Sequence, residues 1–124
     1  MSLYQDHILD HYHNPRNFGE LATATHRASA LNPTCGDELS LELNIEDGII
    51  KDVGFTGKGC AISLASASLL FEETKGKPIA EAQILAPEDV LKLSGLAISP
   101  GRLKCALLSL ETLKKALINK LPNK

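Results

Sequence analysis

The chain has 124 residues, of which 44% are hydrophobic and 23% charged, with a formal net charge of −2; this suits one domain, expected over residues 1–124, around one core that aliphatic side chains must fill because tryptophan is absent. The charge gives no reason to expect nucleic acid or an anionic membrane as a partner, and no apolar run approaches the ~20 residues of a membrane helix. Met1-Ser2-Leu3-Tyr4-Gln5-Asp6-His7 lacks the basic and apolar regions of a signal peptide, so the expected location is the cytoplasm, where an odd count of three cysteines argues against a disulfide framework.

In chain order, residues 2–13 read as a short helix, with Tyr4, Ile8, His11 and Tyr12 on one face. Asn14-Pro15 stops it, because the residue before proline avoids the α region. Residues 15–24 read as a surface connection and 26–31 as a weak first strand. Leu39-Ser40-Leu41-Glu42-Leu43-Asn44-Ile45 alternates strictly, so four aliphatics share one face of a strand. Asp47-Gly48 is a signal for a type I′ hairpin turn, and the returning strand runs from about Ile49 to Thr56, with Val53 and Phe55 facing inward. After Cys60 the period changes: Ala61 to Lys75 reads as a helix rich in small residues and closed by Gly76. Short helices fit 78–84 and 87–93, with Pro78 and Pro87 in their first turns. Ser99-Pro100 opens a last helix whose stripe is Leu103, Leu107, Leu110, Leu113 and Leu117. Strands first and helices afterwards is the α+β pattern, with an antiparallel sheet covered on one face.

The three cysteines stand apart in sequence, so any shared site must be assembled by the fold; zinc-finger ligands, in contrast, pair at about two to four residues. Cys35 lies on a turn after Pro33, and Asp37, two residues on, can point the same way, so both can reach one metal; a loop cysteine beside a turn-stabilising aspartate reads equally from this stretch. Cys60, preceded by the bare Gly57 and Gly59 at a strand-to-helix junction, is where a helix N-terminus favours thiolate; the alternative is a small buried hydrophobe. Cys105 falls in the second turn of the last helix, off the leucine stripe, and need not belong to the core. Three thiolates and a carboxylate carry more charge than a dication offsets, which makes Lys58, Arg102 and Lys104 useful neighbours. Asp37 is a harder ligand than thiolate, so a mixed sulfur–oxygen site suits something handed on. His7 and His11 share a helix face, but no glutamate completes a His-Glu-x-x-His motif, and packing roles are expected. Ser63, Ser66 and Ser68 have no histidine base suited to nucleophilic catalysis and read as close helix packing.

Three ordered motifs carry a resemblance over nearly the whole chain: Asn32-Pro33-Thr34-Cys35-Gly36-Asp37, Gly57-Lys58-Gly59-Cys60-Ala61-Ile62-Ser63, and Arg102-Leu103-Lys104-Cys105-Ala106, preceded by Asp10-His11-Tyr12 and Asn14-Pro15-Arg16-Asn17. The chain resembles the U-type iron–sulfur cluster assembly scaffolds, namely IscU, SufU and the N-terminal domain of NifU. The resemblance implies an α+β fold with a three-stranded antiparallel sheet and helices on one face. It implies that Cys35, Asp37, Cys60 and Cys105 surround one site for a transient [2Fe–2S] cluster or Zn²⁺. It further implies a cysteine desulfurase that delivers persulfide sulfur, with Cys105 as acceptor, and apo iron–sulfur proteins as recipients. Lys104 stands where IscU proteins carry histidine, as in SufU-like members. Ile98-Ser99-Pro100-Gly101-Arg102 replaces the Leu-Pro-Pro-Val-Lys chaperone motif, which argues against recognition by an Hsp70-type chaperone. The Gly76-to-Cys105 segment looks too short for the SufU insertion, so a SufU-like site is joined to an IscU-like length. The leading expectation is a non-enzymatic scaffold; the others are a zinc-dependent sulfurtransferase and a purely structural zinc domain.

Overall fold

The computed structural model describes residues 3–33, 36–94 and 100–122, with side chains for 8–33, 36–93 and 103–122. The elements run α1 (Leu3–His13), β1 (His26–Asn32), β2 (Asp37–Glu46), β3 (Ile49–Lys58), α2 (Ala61–Thr74), α3 (Ile79–Gln83), α4 (Pro87–Ser94) and α5 (Pro100–Ile118). The strands form one antiparallel sheet in the order β1-β2-β3. This is the expected α+β fold: α2 and α5 pack on one face of the sheet, α4 packs against both helices, and α1 packs on α2.

The alternation of β2 fixes which face is covered. Leu39, Leu41 and Leu43 all point inward and are buried. Leu41 pairs with Phe55 and Leu43 with Val53 across the hairpin. Asp47 (φ 53°) and Gly48 (φ 74°) both adopt positive φ, as a type I′ turn requires. A bulge at Asn44/Ile45 then shifts the register so that Ile45 meets the buried Ile50. From the helices, Leu70, Phe71, Leu108, Leu113 and Leu117 complete the core. Pro87 opens α4, whereas Pro78 stands one place before α3 as its N-cap.

Both sheet edges are paired. The connection after α1 is more than a surface loop: Phe55 N–H donates to Asn17 O at 3.0 Å and Gly19 N–H to Phe55 O at 2.7 Å, so this segment runs parallel along β3. The segment after α5 pairs with β1, Leu121 N–H donating to Thr25 O at 2.7 Å. Unpaired edges invite association, and these contacts blunt both. Among the described residues no helix is long and apolar enough to cross a membrane.

One expectation is corrected here. Cys105 is a core residue, 2% exposed. The leucine stripe is too narrow an account of α5, because that helix packs against the sheet on one side and α2 on another. A second stripe, Cys105, Ser109, Thr112 and Ala116, is buried as well.

Candidate metal centre

Asp37 is the first residue of β2 and pairs with Asn32 of β1. It shares its face with Leu39 and Leu41 by the period of two, so the inward alternation that builds the core also buries this carboxylate, which is 1% exposed. A charge taken out of water must be paired, hydrogen-bonded or bound to a metal. Part of that compensation comes from the start of α2: Cys60 N–H donates to Asp37 Oδ1 at 2.9 Å.

Glycine makes the approach feasible. A Cβ on Gly59 would collide with Asp37 Oδ1, and one on Gly57 with Glu38 O. Both positions must stay bare for β3 to deliver Cys60 beside the carboxylate. Cys60 is then the N-cap of α2, its Sγ accepting from Ser63 N–H at 3.4 Å. This takes up one of the helix's unsatisfied amides and sets the sulfur on the positive end of the helix dipole. The same sulfur lies 3.8 Å from Asp37 Oδ2.

The third group comes from α5. Asp37, Cys60 and Cys105 each offer a ligand atom, and these atoms lie within 4.8 Å of one another. Tetrahedral zinc with bonds of about 2.0–2.3 Å needs ligand atoms roughly 3.3–3.8 Å apart. The Cys60–Asp37 separation of 3.8 Å already meets this, and no pair of ligand atoms exceeds it by more than about an ångström. Two soft sulfurs and one hard oxygen, half-buried at Cys60 and buried at the other two, fit a borderline dication or an iron–sulfur cluster. Three side chains from a strand, a helix start and a later helix thus converge, as the separated motifs required. Cys35, the fourth member of the expected set, lies outside the described residues. On its flanks Gly36 N–H donates to Asn32 O at 2.9 Å.

The other sequence candidates go elsewhere. His11 is buried, its Nδ1 2.7 Å from Ser68 Oγ, which also accepts from Arg16 N–H at 2.8 Å. This contact ties α1 and the following turn to α2, a packing role. The side chains of His7 and Arg102 lie outside the described residues. Lys58 is exposed and lies 3.7 Å from Glu38, and Lys104 is exposed in a groove lined also by Leu31, Pro33, Leu107 and Glu111. The bare backbone before Cys60 was legible in Gly57 and Gly59; that Gly59 lies against the Asp37 carboxylate was not, because that contact is made across the fold.

The NifU-like N-terminal domain family matches residues 3–123. The zinc-dependent sulfurtransferase SufU of Bacillus subtilis is 37% identical over 131 aligned residues, covering 92% of this chain and 88% of the relative. The iron–sulfur cluster assembly scaffold protein IscU of Thermotoga maritima is also 37% identical, over 93% of this chain and 92% of its own. Among solved structures, a protein from Fervidobacterium islandicum described as a cluster assembly scaffold for the SUF system superposes with a TM-score of 0.77 at 28% identity, covering 94% of this chain and 96% of that one.

Proposed function

Because the chain belongs to the NifU-like N-terminal domain family, we propose that it is an iron–sulfur cluster assembly scaffold. It accepts sulfur from a cysteine desulfurase, assembles a transient [2Fe–2S] cluster as its cargo, and transfers the cluster to apo-proteins. The observation that carries this reading is the convergence of Asp37, Cys60 and Cys105 within 4.8 Å. Cys35 completes the ligand set by resemblance, residues 1–124 act as one scaffold domain, and the protein works in the cytoplasm. Asp37 is the member that makes the site a temporary holder, since a carboxylate binds iron less durably than a fourth thiolate.

Sulfur enters on Cys105. Its thiolate attacks the outer sulfur of the desulfurase persulfide, a new S–S bond forms on Cys105, and the desulfurase cysteine leaves as thiolate. With Cys105 only 2% exposed, this step requires its surroundings to open, whereas Cys60 is half-buried. Persulfide-specific labelling after incubation with desulfurase and cysteine should vanish in Cys105→Ser; labelling that vanishes in Cys60→Ser instead moves the role to Cys60.

The similarity to the Bacillus SufU favours a second reading, a zinc-dependent sulfurtransferase. Zinc would be held by the same four residues and would supply a fixed positive charge that keeps the thiols deprotonated. Anaerobic reconstitution with ferrous iron, cysteine, desulfurase and a thiol reductant, which supplies the electrons that turn persulfide sulfur into sulfide, separates the two. A sulfide-to-iron absorption with matching iron and sulfide content supports the scaffold. One zinc per chain that iron does not displace, without that absorption, sinks it. For Asp37→Ala the expected outcome is slower cluster release to an apo-ferredoxin; unchanged transfer counts against the carboxylate's role.

A further inference from the structure

Two buried hydroxyls on α2 have no hydrogen-bond partner among the described residues: Ser63 Oγ and Ser66 Oγ. Ser63 is 0% exposed and Ser66 2%. Leaving a buried hydroxyl unsatisfied costs stability, and native proteins rarely do so without a reason. The two sit one turn apart on the same side of the helix, but they differ in one respect. The N–H of Ser63 already donates to Cys60 Sγ, so its hydroxyl hangs from the residue that is bonded to that sulfur. Ser66 is a further turn away along the axis.

We propose that Ser63 is a positioning residue for the metal centre: its O–H donates to Cys60 Sγ when that sulfur carries a metal ion or cluster. One residue then supplies the Cys60 thiolate with two donors, the amide and the hydroxyl. Hydrogen bonds to a ligating sulfur withdraw charge from it and orient it, which is how residues outside the ligand set tune affinity and electronic structure. The first turn of α2 carries no acidic side chain of its own, so the negative groups that this helix start receives are the ligating sulfur and the Asp37 carboxylate. A metal-bound thiolate is a stronger acceptor than a thiol, so it would give the Ser63 hydroxyl the partner it lacks among the described residues.

The inference rests on the ligand role proposed for Cys60. Cobalt(II) alone, titrated anaerobically into the apo-protein, reports on both. The wild type should give a thiolate-to-cobalt charge-transfer band. Ser63→Ala should shift that band to lower energy and raise the cobalt Kd about tenfold, while the apo-protein loses no thermal stability. Ser66→Ala, which removes the same kind of hydroxyl farther from the sulfur, should leave band and Kd unchanged. A wild type without the band, or a Cys60→Ser variant that keeps the wild-type band intensity, defeats the ligand role of Cys60 and this inference with it. A wild-type band that Ser63→Ala leaves in position, or that Ser66→Ala shifts equally, defeats this inference alone. So does an apo-protein destabilised by Ser63→Ala, since the hydroxyl would then serve the fold.

Discussion

The β2–β3 hairpin has two ends built on opposite principles. At the turn end, Asp47 and Gly48 reverse the chain and the residues behind them, Leu43, Ile50 and Val53, are buried aliphatics whose shapes alone close the core. At the open end the inward positions belong to Asp37 and to bare glycines, and the space is filled by a carboxylate and two thiols. The first end is complete as it stands. The second is the end that a bound cation would complete, because Asp37 and Cys105 are buried, Cys60 is half-buried and each offers a ligand atom. Stability and chemistry are thus stored at opposite ends of one supersecondary unit, and substitutions should separate them.

The largest effect on the folded state belongs to the apolar end of this division. Phe71 is fully buried on α2, and its ring packs edge-on to Phe55 with centroids 5.2 Å apart. Phe55 in turn packs edge-on to Phe18, at 5.3 Å. Phe71→Ala should cost about 3–5 kcal/mol in urea unfolding, through lost transfer energy and the cavity left behind. That is a large fraction of the roughly 5–15 kcal/mol available to a domain. Phe18→Ala, at a residue 51% exposed, should cost much less. Equal losses would show that the connection after α1, not the helix layer, holds the sheet in place.

Next in size is a contrast between two glycines. Gly59→Ala puts a Cβ onto Asp37 Oδ1, so the carboxylate must turn away and lose its bond from Cys60 N–H. Overpacking of this kind costs about 1–3 kcal/mol, and metal affinity should fall with it by at least tenfold. Gly48→Ala meets no atom within 4 Å but holds a residue at φ 74°. Its cost, about 1–2 kcal/mol, is backbone strain alone, and metal affinity should not change. Isothermal titration with zinc on both variants checks this. A Gly48→Ala variant that binds as poorly as Gly59→Ala would abolish the distinction between the two ends.

The fold was legible wherever local chemistry agrees with local geometry. The alternation of Leu39, Leu41 and Leu43 and the Asp-Gly turn are rules of this kind, and the strands follow them. Asp37 lies on the same inward face, two residues before Leu39, but a polar residue broke the visual pattern and the strand was expected to begin later. A period of two carried back from Leu39 would have found its burial. Cys105 was misjudged because a helix covered on two sides buries more than one stripe, and no count within α5 reveals how many neighbours it has. The parallel run of Asn17–Gly19 along β3 is made by backbone hydrogen bonds, which leave little trace in side-chain type. For the site, the separated motifs named the ligand set only through resemblance; the distances among Asp37, Cys60 and Cys105 arise from long-range packing.

The smallest expected effect lies on the opposite face of β2, and it sharpens what is particular about Asp37. Glu42 is also mostly buried, but its company is cationic: Arg27 donates to Oε2 through Nη2 at 2.6 Å and Nε at 3.0 Å, and Leu21 N–H to Oε1 at 3.0 Å. Burial by itself would raise its pKa. The hydrogen bonds from Arg27 and Leu21 and the guanidinium charge outweigh that, and hold it below the ordinary value of 4.5. A carboxylate whose pKa is lower in the folded protein stabilises the fold above its unfolded pKa, and that contribution disappears as pH falls through the folded one. Glu42→Gln keeps an acceptor for Leu21 N–H but removes the charge, so the variant should be less stable at neutral pH by about 0.5–1 kcal/mol, the range for a partly exposed ion pair. The two stability curves should converge as pH drops below 4.5. Curves that stay parallel through this range would mean that the Arg27–Glu42 pair contributes no charge-dependent stability. At neutral pH Glu42→Gln should bind zinc as the wild type does, because Glu42 pairs with Arg27 on the face of β2 opposite the one that Asp37, five residues earlier, shares with the candidate site.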